Sequence, residues 1–118
     1  MTLDELRSMT DVPVVLADHN GVITQVNAQF ETVFGWAAKD IVGRSLTAII
    51  PSGLHDAHHL GFSRFVTTGR PTLLNQPLTL RAVTKDGREF EAEHVIAAEQ
   101  RSGQWQFGAS IRPLAGRG

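Results

Sequence analysis

Two histidines carry most of the chemical potential of this sequence. The stretch Ala57-His58-His59-Leu60-Gly61-Phe62-Ser63-Arg64-Phe65 reads as an amphipathic helix that Gly69 closes. At about 100° per residue, Leu54, His58, Gly61, Phe62 and Phe65 share one face, with Arg64 at its edge. A histidine aimed into a core must find a partner, because an unpaired imidazole nitrogen costs free energy when buried. That partner is either the protein itself, through a carbonyl or a water, or a bound metal cofactor. A neutral imidazole is a good iron ligand in a dry surround, and Leu54, Phe62 and Phe65 would supply one. His94 is the second case. It alternates with Phe90, Ala92 and Ile96 on one side of a strand, where it either bonds to a neighbouring strand or serves as a second ligand or donor.

The other chemically active side chains have plainer readings. His55 and His59 stand at i and i+4, a spacing that chelates zinc or copper, but Asp56 lies off their face and no third ligand follows. A solvated pair is expected. Arg64 would either anchor a carboxylate or cover apolar surface with its stem. Glu89, Glu91 and Glu93 alternate with inward apolar residues, so they form a solvated sheet face that discourages edge pairing. No nucleophile motif, no phosphate-cradling glycine loop and no HExxH are present, so a non-catalytic protein is expected. The absence of cysteine excludes disulfides, thiolate zinc sites, cysteine nucleophiles and thiol-based flavin photochemistry together.

These residues need elements to position them, and 118 residues suffice for one core. With 42% hydrophobic and 19% charged residues the balance is that of a soluble globular domain. A net charge of −1 gives no electrostatic reason to expect nucleic acid or an anionic membrane as partner. No apolar run reaches membrane-span length and no signal-peptide pattern opens the chain, so a cytoplasmic setting without membrane contact is expected.

Thr2-Leu3-Asp4-Glu5 reads as a capping box for a short helix bearing Leu3, Leu6 and Met9, over a flanking segment 1–10. So short a helix must pack on the sheet or on a second copy. Strands are expected near 14–18, 22–27, 72–84, 88–99 and 104–113, the first two joined by an Asn20-Gly21 hairpin signal. Asn27 caps a helix over 28–34 that Gly35 stops, a second short helix covers 37–42, and Ser52 caps the histidine-bearing helix. Leu74, Leu78, Leu80 and Ala82 share a strand face, and Pro77 inside that strand suggests an edge position or a bulge. The result is an α+β fold: a five-stranded antiparallel sheet with helices on one face and a cavity between the layers, into which His58 and His94 point. Residues 115–118 read as a tail.

The order of these pieces resembles a PAS domain over residues 11–114. The resemblance rests on Asp18-His19-Asn20-Gly21-Val22-Ile23, Val26-Asn27-Ala28-Gln29-Phe30, Phe34-Gly35-Trp36, Ile41-Val42-Gly43-Arg44-Ser45-Leu46, Ile50-Pro51 and Lys85-Asp86-Gly87. It implies a sensory or dimerisation module of a larger signalling protein, such as a histidine kinase, cyclase or transcription regulator. It also implies a homodimer through the N-terminal helix and the outer sheet face. Such domains often finish in Asp-x-Thr; here Arg112-Pro113-Leu114 stands instead.

Within the family, the histidine-bearing helix is similar to that of oxygen-sensing haem PAS domains of the FixL type. The resemblance places His58 as ligand to the iron of haem b and Arg64 near the propionates, with Leu54, Phe62, Phe65, Leu78, His94 and Ile96 around the cofactor. Leu78 stands where those sensors carry a charged donor to bound oxygen, and His94 where they carry an aliphatic side chain. Two alternatives accompany this expectation: a cofactor-free interaction module, and a module binding a small organic ligand through Arg64.

Overall fold

The structure, a computed structural model, describes residues 2–56 and 76–114. The elements run α1 (Leu3–Ser8), β1 (Val14–Ala17), β2 (Ile23–Val26), α2 (Ala28–Phe34) and α3 (Ala38–Ile41). Two 3-10 turns, Leu46–Ile49 and Ser52–Leu54, follow, then β3 (Leu78–Val83), β4 (Glu89–Arg101) and β5 (Gln104–Pro113). The strands form one sheet in the order β2-β1-β5-β4-β3, every neighbouring pair antiparallel. The expected start of the third strand at 72 falls outside the described residues; among them β3 begins at Leu78, directly after Pro77. It is an edge strand, where proline's missing donor is tolerated.

Local chemistry sets the boundaries. Thr2 and Glu5 form a reciprocal capping box, Glu5 N–H donating to Thr2 Oγ1 at 3.1 Å and Thr2 N–H to Glu5 Oε1 at 2.7 Å. Asn27 does more than cap α2. Its Oδ1 accepts from Phe30 N–H and from Val14 N–H, both at 3.0 Å, while Nδ2 donates to the carbonyls of Val12 (2.8 Å) and Met9 (3.2 Å). One side chain thus ties α2 to β1 and to the link from α1. Gly35 ends α2 in the left-handed region at φ +76°, its N–H bonded to Glu31 O.

The Asn20-Gly21 signal does not give the two-residue hairpin turn it suggests; the turn at Ser102-Gly103 has that form. Ser102 and Gly103 both have positive φ, 52° and 79°, as a two-residue turn between β4 and β5 requires. At Asn20-Gly21 only the glycine does. There Asp18 organises the turn, its Oδ1 accepting from Asn20 N–H at 2.9 Å and Val22 N–H at 3.0 Å. The register slips between Leu16 and Ala17; Val22 O still accepts from Asp18 N–H at 2.9 Å, and on its other side Val22 bridges Ser45. Residues 43–46 then line the free edge of β2, Ile23 N–H donating to Arg44 O and Leu46 N–H to Gly21 O.

The sheet is covered on both faces: the helices between β2 and β3 lie on one, and α1, expected to pack on the sheet or on a second copy, lies on the other. Val15 joins Ile23, Phe30, Phe34, Ile41, Ile49, Ala82, Ala92 and Ile111 in the core beneath α2 and α3. Its neighbours Val14 and Leu16 point the other way and pack with Leu3, Leu6 and Ala97, so α1 lies on the outer face. All four residues of β1 are buried as a result. Phe30 and Phe34 stack with centroids 4.4 Å apart, and Phe34 meets Phe90 of β4 at 5.4 Å. Lys85 N–H donates to Phe34 O at 2.9 Å, fastening the β3–β4 turn to the end of α2.

Candidate functional site

The inner face of the sheet is built by period-two alternation across three strands. Cross-strand register sets Leu78 opposite His94 and His94 opposite Ile111, so the three form one row running from β3 through β4 to β5. Ile96 opposite Ala109 makes the next row. Ala92 and Ile111 belong to the core under the helices, which fixes this face as the inner one. His94 is thus held by six pairs to β3 on one side and a ten-pair ladder to β5 on the other. Its backbone position leaves the imidazole little choice of direction.

His94 Nδ1 lies 3.1 Å from the carbonyl oxygen of Ala92, two residues back on the same strand. A carbonyl only accepts, so Nδ1 carries the proton and Nε2 presents its lone pair. Nε2 has no bonded partner among the described residues. Burial lowers the imidazole's pKa from its ordinary value, and the Ala92 contact opposes that only in part, so the ring is held neutral. A neutral imidazole oriented by a backbone carbonyl, half-buried beside Leu78 and Ile111, is suited to ligate a metal centre or accept a hydrogen bond.

His58, Arg64, Phe62 and Phe65 lie outside the described residues. Leu54, expected on the apolar stripe, ends a 3-10 turn and is 42% exposed. Ser52 sits inside that turn, which Pro51 precedes, rather than capping it.

His55 is the residue that sequence reasoning undervalued. Its Nε2 stands 2.6 Å from Ile50 O and 3.1 Å from Thr47 O, so it donates to the carbonyls of the preceding turn and is half-buried. That engagement removes one nitrogen of the expected solvated pair with His59. The i−5 spacing to Ile50, just before a proline, was the available signal. Among the described residues no group of three or more histidine, cysteine, aspartate or glutamate side chains comes together to hold a metal.

Two clefts among the described residues lie away from His94. One, of about 280 Å³, sits between the end of α2 (Phe34, Gly35) and the β3–β4 turn (Thr84, Lys85, Arg88). In that turn Thr84 Oγ1 donates to the Asp86 carboxylate, whose pKa is lowered chiefly by this bond, and accepts from Arg88 N–H. The other, about 160 Å³, lies beside α1 between Leu3, Arg7, Asp18 and Gln106. On the helical layer, Trp36 has the Arg44 guanidinium 4.9 Å and Lys85 Nζ 5.1 Å from its ring centroid.

The five-stranded antiparallel sheet with its flanking helices defines an α+β domain. The family model described as the PAS fold matches residues 3–95, and the chain belongs to that family. An uncharacterized protein of Azorhizobium caulinodans is 31% identical over 115 residues, covering 94% of this chain and 16% of that protein. Sensor protein FixL of Bradyrhizobium diazoefficiens is 25% identical over 109 residues, covering 92% of this chain and 21% of the sensor. The chain therefore spans about a fifth or less of these relatives. Among solved structures, the PAS domain of a Desulfitobacterium hafniense protein superposes with a TM-score of 0.73 at 14% identity, covering 94% of this chain and 99% of that one. A Rhodobacter sphaeroides LOV protein superposes at 0.70 with 14% identity, covering 95% and 66%. Both show the shared fold.

Proposed function

We propose that this chain is a non-catalytic sensory module of a larger signalling protein and that it binds haem b between the inner sheet face and the helical layer. The observation that supports it best is His94: a neutral imidazole whose Nε2 has no bonded partner among the described residues, in a row whose other members, Leu78 and Ile111, are aliphatic. His58 is the proposed iron ligand and Arg64 the partner of the propionates, with Phe62, Phe65, Leu78 and Ile96 as the apolar surround. Leu54, being exposed, is assigned to the rim. The similarity to sensor protein FixL over 92% of the chain supports the same reading. Bound haem would supply an iron centre whose ligation or oxidation state registers a gas or redox signal. This chain's part is to exclude water, hold the propionates and present imidazole nitrogen. With no cysteine in the chain, the thiol chemistry of flavin photoreception has no residue to act through.

Haem titration tests the proposal. The wild-type chain is expected to give a Soret band at one haem per chain, and His58→Ala to weaken binding at least tenfold. Equal binding by both, or no band in either, sinks it. A cofactor-free dimerisation module is the rival reading, and the packing of α1 counts against the version that uses its apolar side. Leu3 and Leu6 are already buried on the chain's own sheet, so α1 offers a second copy chiefly Asp4, Glu5, Arg7 and Ser8. We place the module in the cytoplasm; no helix among the described residues is long and apolar enough to cross a membrane.

A further inference from the structure

We propose that the corner formed by Trp36, Arg44 and Lys85 is a docking site for an acidic peptide segment, whose carboxylates bridge the two cations beside the indole. The site is independent of any cofactor between the layers. Three observations carry it. Both cations lie against one ring, the Arg44 guanidinium 4.9 Å and Lys85 Nζ 5.1 Å from the Trp36 centroid. Both are exposed, yet neither belongs to any ion pair among the described residues. The Trp36 indole N–H is buried and has no acceptor among the described residues. Like charges gathered on one aromatic ring repel each other, and an anion bound between them replaces that repulsion with two attractions.

The fold fixes the backbone of this corner and keeps its own carboxylates engaged elsewhere. Lys85 N–H donates to Phe34 O at 2.9 Å, and Gly87 N–H donates to Thr84 O at 3.0 Å across the turn that bears it. Arg44 N–H donates to Ile41 O at 3.0 Å, and Arg44 O accepts from Ile23 N–H at 2.8 Å. The Arg44 Nε donates to Asp40 O at 2.9 Å, which leaves the two Nη groups without a bonded partner among the described residues. The acidic residues on the same elements do not reach the cations. Glu31 Oε2 accepts from Ala38 N–H at 2.6 Å, the Asp86 carboxylate accepts from Thr84, and Asp40 offers Arg44 its carbonyl. Beside Lys85, the cleft of about 280 Å³ that Arg88 also lines has room for a further acidic side chain. Cations placed in advance bind a carboxylate at little ordering cost. The net charge of the whole chain is −1, so attraction for anions is local to this corner. That suits a short acidic segment and not a long polyanion such as nucleic acid.

Trp36 reports binding once the other tryptophan is removed by Trp105→Phe. The probe is a capped hexaglutamate peptide titrated at about 20 mM salt, where the Debye length is roughly 20 Å. Trp36 emission is expected to shift saturably, and about 0.5 M salt to abolish the shift. Calorimetry repeats the titration on variants, because substitution beside the ring alters its emission directly. Arg44→Gln combined with Lys85→Gln should weaken binding at least tenfold. Arg112→Gln, which removes a cation paired with Glu93 on the outer sheet face, should leave it unchanged. Circular dichroism shows that each variant is folded. An equal response to capped hexaglutamine, equal binding by the double variant, or no saturable signal in either readout overturns the proposal. Saturation by inorganic phosphate where hexaglutamate gives none overturns it too, and assigns the corner to free phosphate.

Discussion

A β-carbon placed on Gly108 would stand 2.6 Å from Leu16 Cδ2, and 2.8 and 3.0 Å from the methyl ends of Leu6 and Leu3. Gly108 is the point on β5 where α1 and β1 close over the outer face, and its φ is not in the left-handed region, so its role is steric. Gly108→Ala should cost about 1–3 kcal/mol, the usual range for overpacking a closed site. Chemical denaturation read by tryptophan fluorescence measures it, and an unchanged midpoint would mean that α1 does not sit where the packing puts it.

Asn27 satisfies two donors and two acceptors from three segments. Asn27→Ala strands all four groups, and a loss of roughly 2–3 kcal/mol is expected from a lost cap with further broken hydrogen bonds. Asn27→Asp keeps the acceptor for Phe30 and Val14 and loses only the two donations, so it should cost less. If alanine and aspartate cost the same, the bonds to Met9 and Val12 carry the effect.

His94 gives stability a pH dependence of known sign. Its folded pKa lies below the ordinary histidine value because burial disfavours the charged ring, with the Ala92 contact opposing. In the unfolded chain the ring takes up its proton first, so stability is full above about pH 6.5 and is lost as pH falls through the folded pKa. The melting temperature of wild type relative to His94→Leu should therefore drop between pH 7.5 and pH 5. A constant difference across that range would show that the ring is not desolvated.

Asp86 is exposed, yet its carboxylate is held charged chiefly by the Thr84 hydroxyl. Thr84→Val removes that donor, and the Asp86 pKa, followed by carbon-detected NMR, should rise toward the ordinary aspartate value. No movement would assign the depression to the backbone of the turn instead.

Much of the frame was legible because its signals are local. The capping box at Thr2-Glu5, the Asn27 cap with the Gly35 stop, and the alternation of Phe90, Ala92, His94 and Ile96 each depend on a few adjacent residues. What escaped depends on contacts distant in sequence. Periodicity showed that Leu3 and Leu6 need an apolar surface but not that Val14 and Leu16 on the outer face supply it. A glycine inside a strand marks close approach, and Gly108 was the available clue to where α1 lands. Val22 looks like the start of β2, but β2 begins at Ile23, and Val22 joins Asp18 on one side to Ser45 on the other. His55 looked solvated because its partners are backbone carbonyls, which leave no trace in side-chain patterns.

The bond from Lys85 N–H to Phe34 O and the ring contact between Phe34 and Phe90 pin the end of α2 to the sheet beside the β3–β4 turn. His94 and Leu78 lie at the other end of the β3 ladder, four residues along β4 from Phe90, or about 13 Å. Asn27 moors the start of α2 to β1, and Phe34 moors its end to the β3–β4 turn. The helix is therefore held to the sheet at both ends, and any displacement of it must break one mooring or carry a strand along.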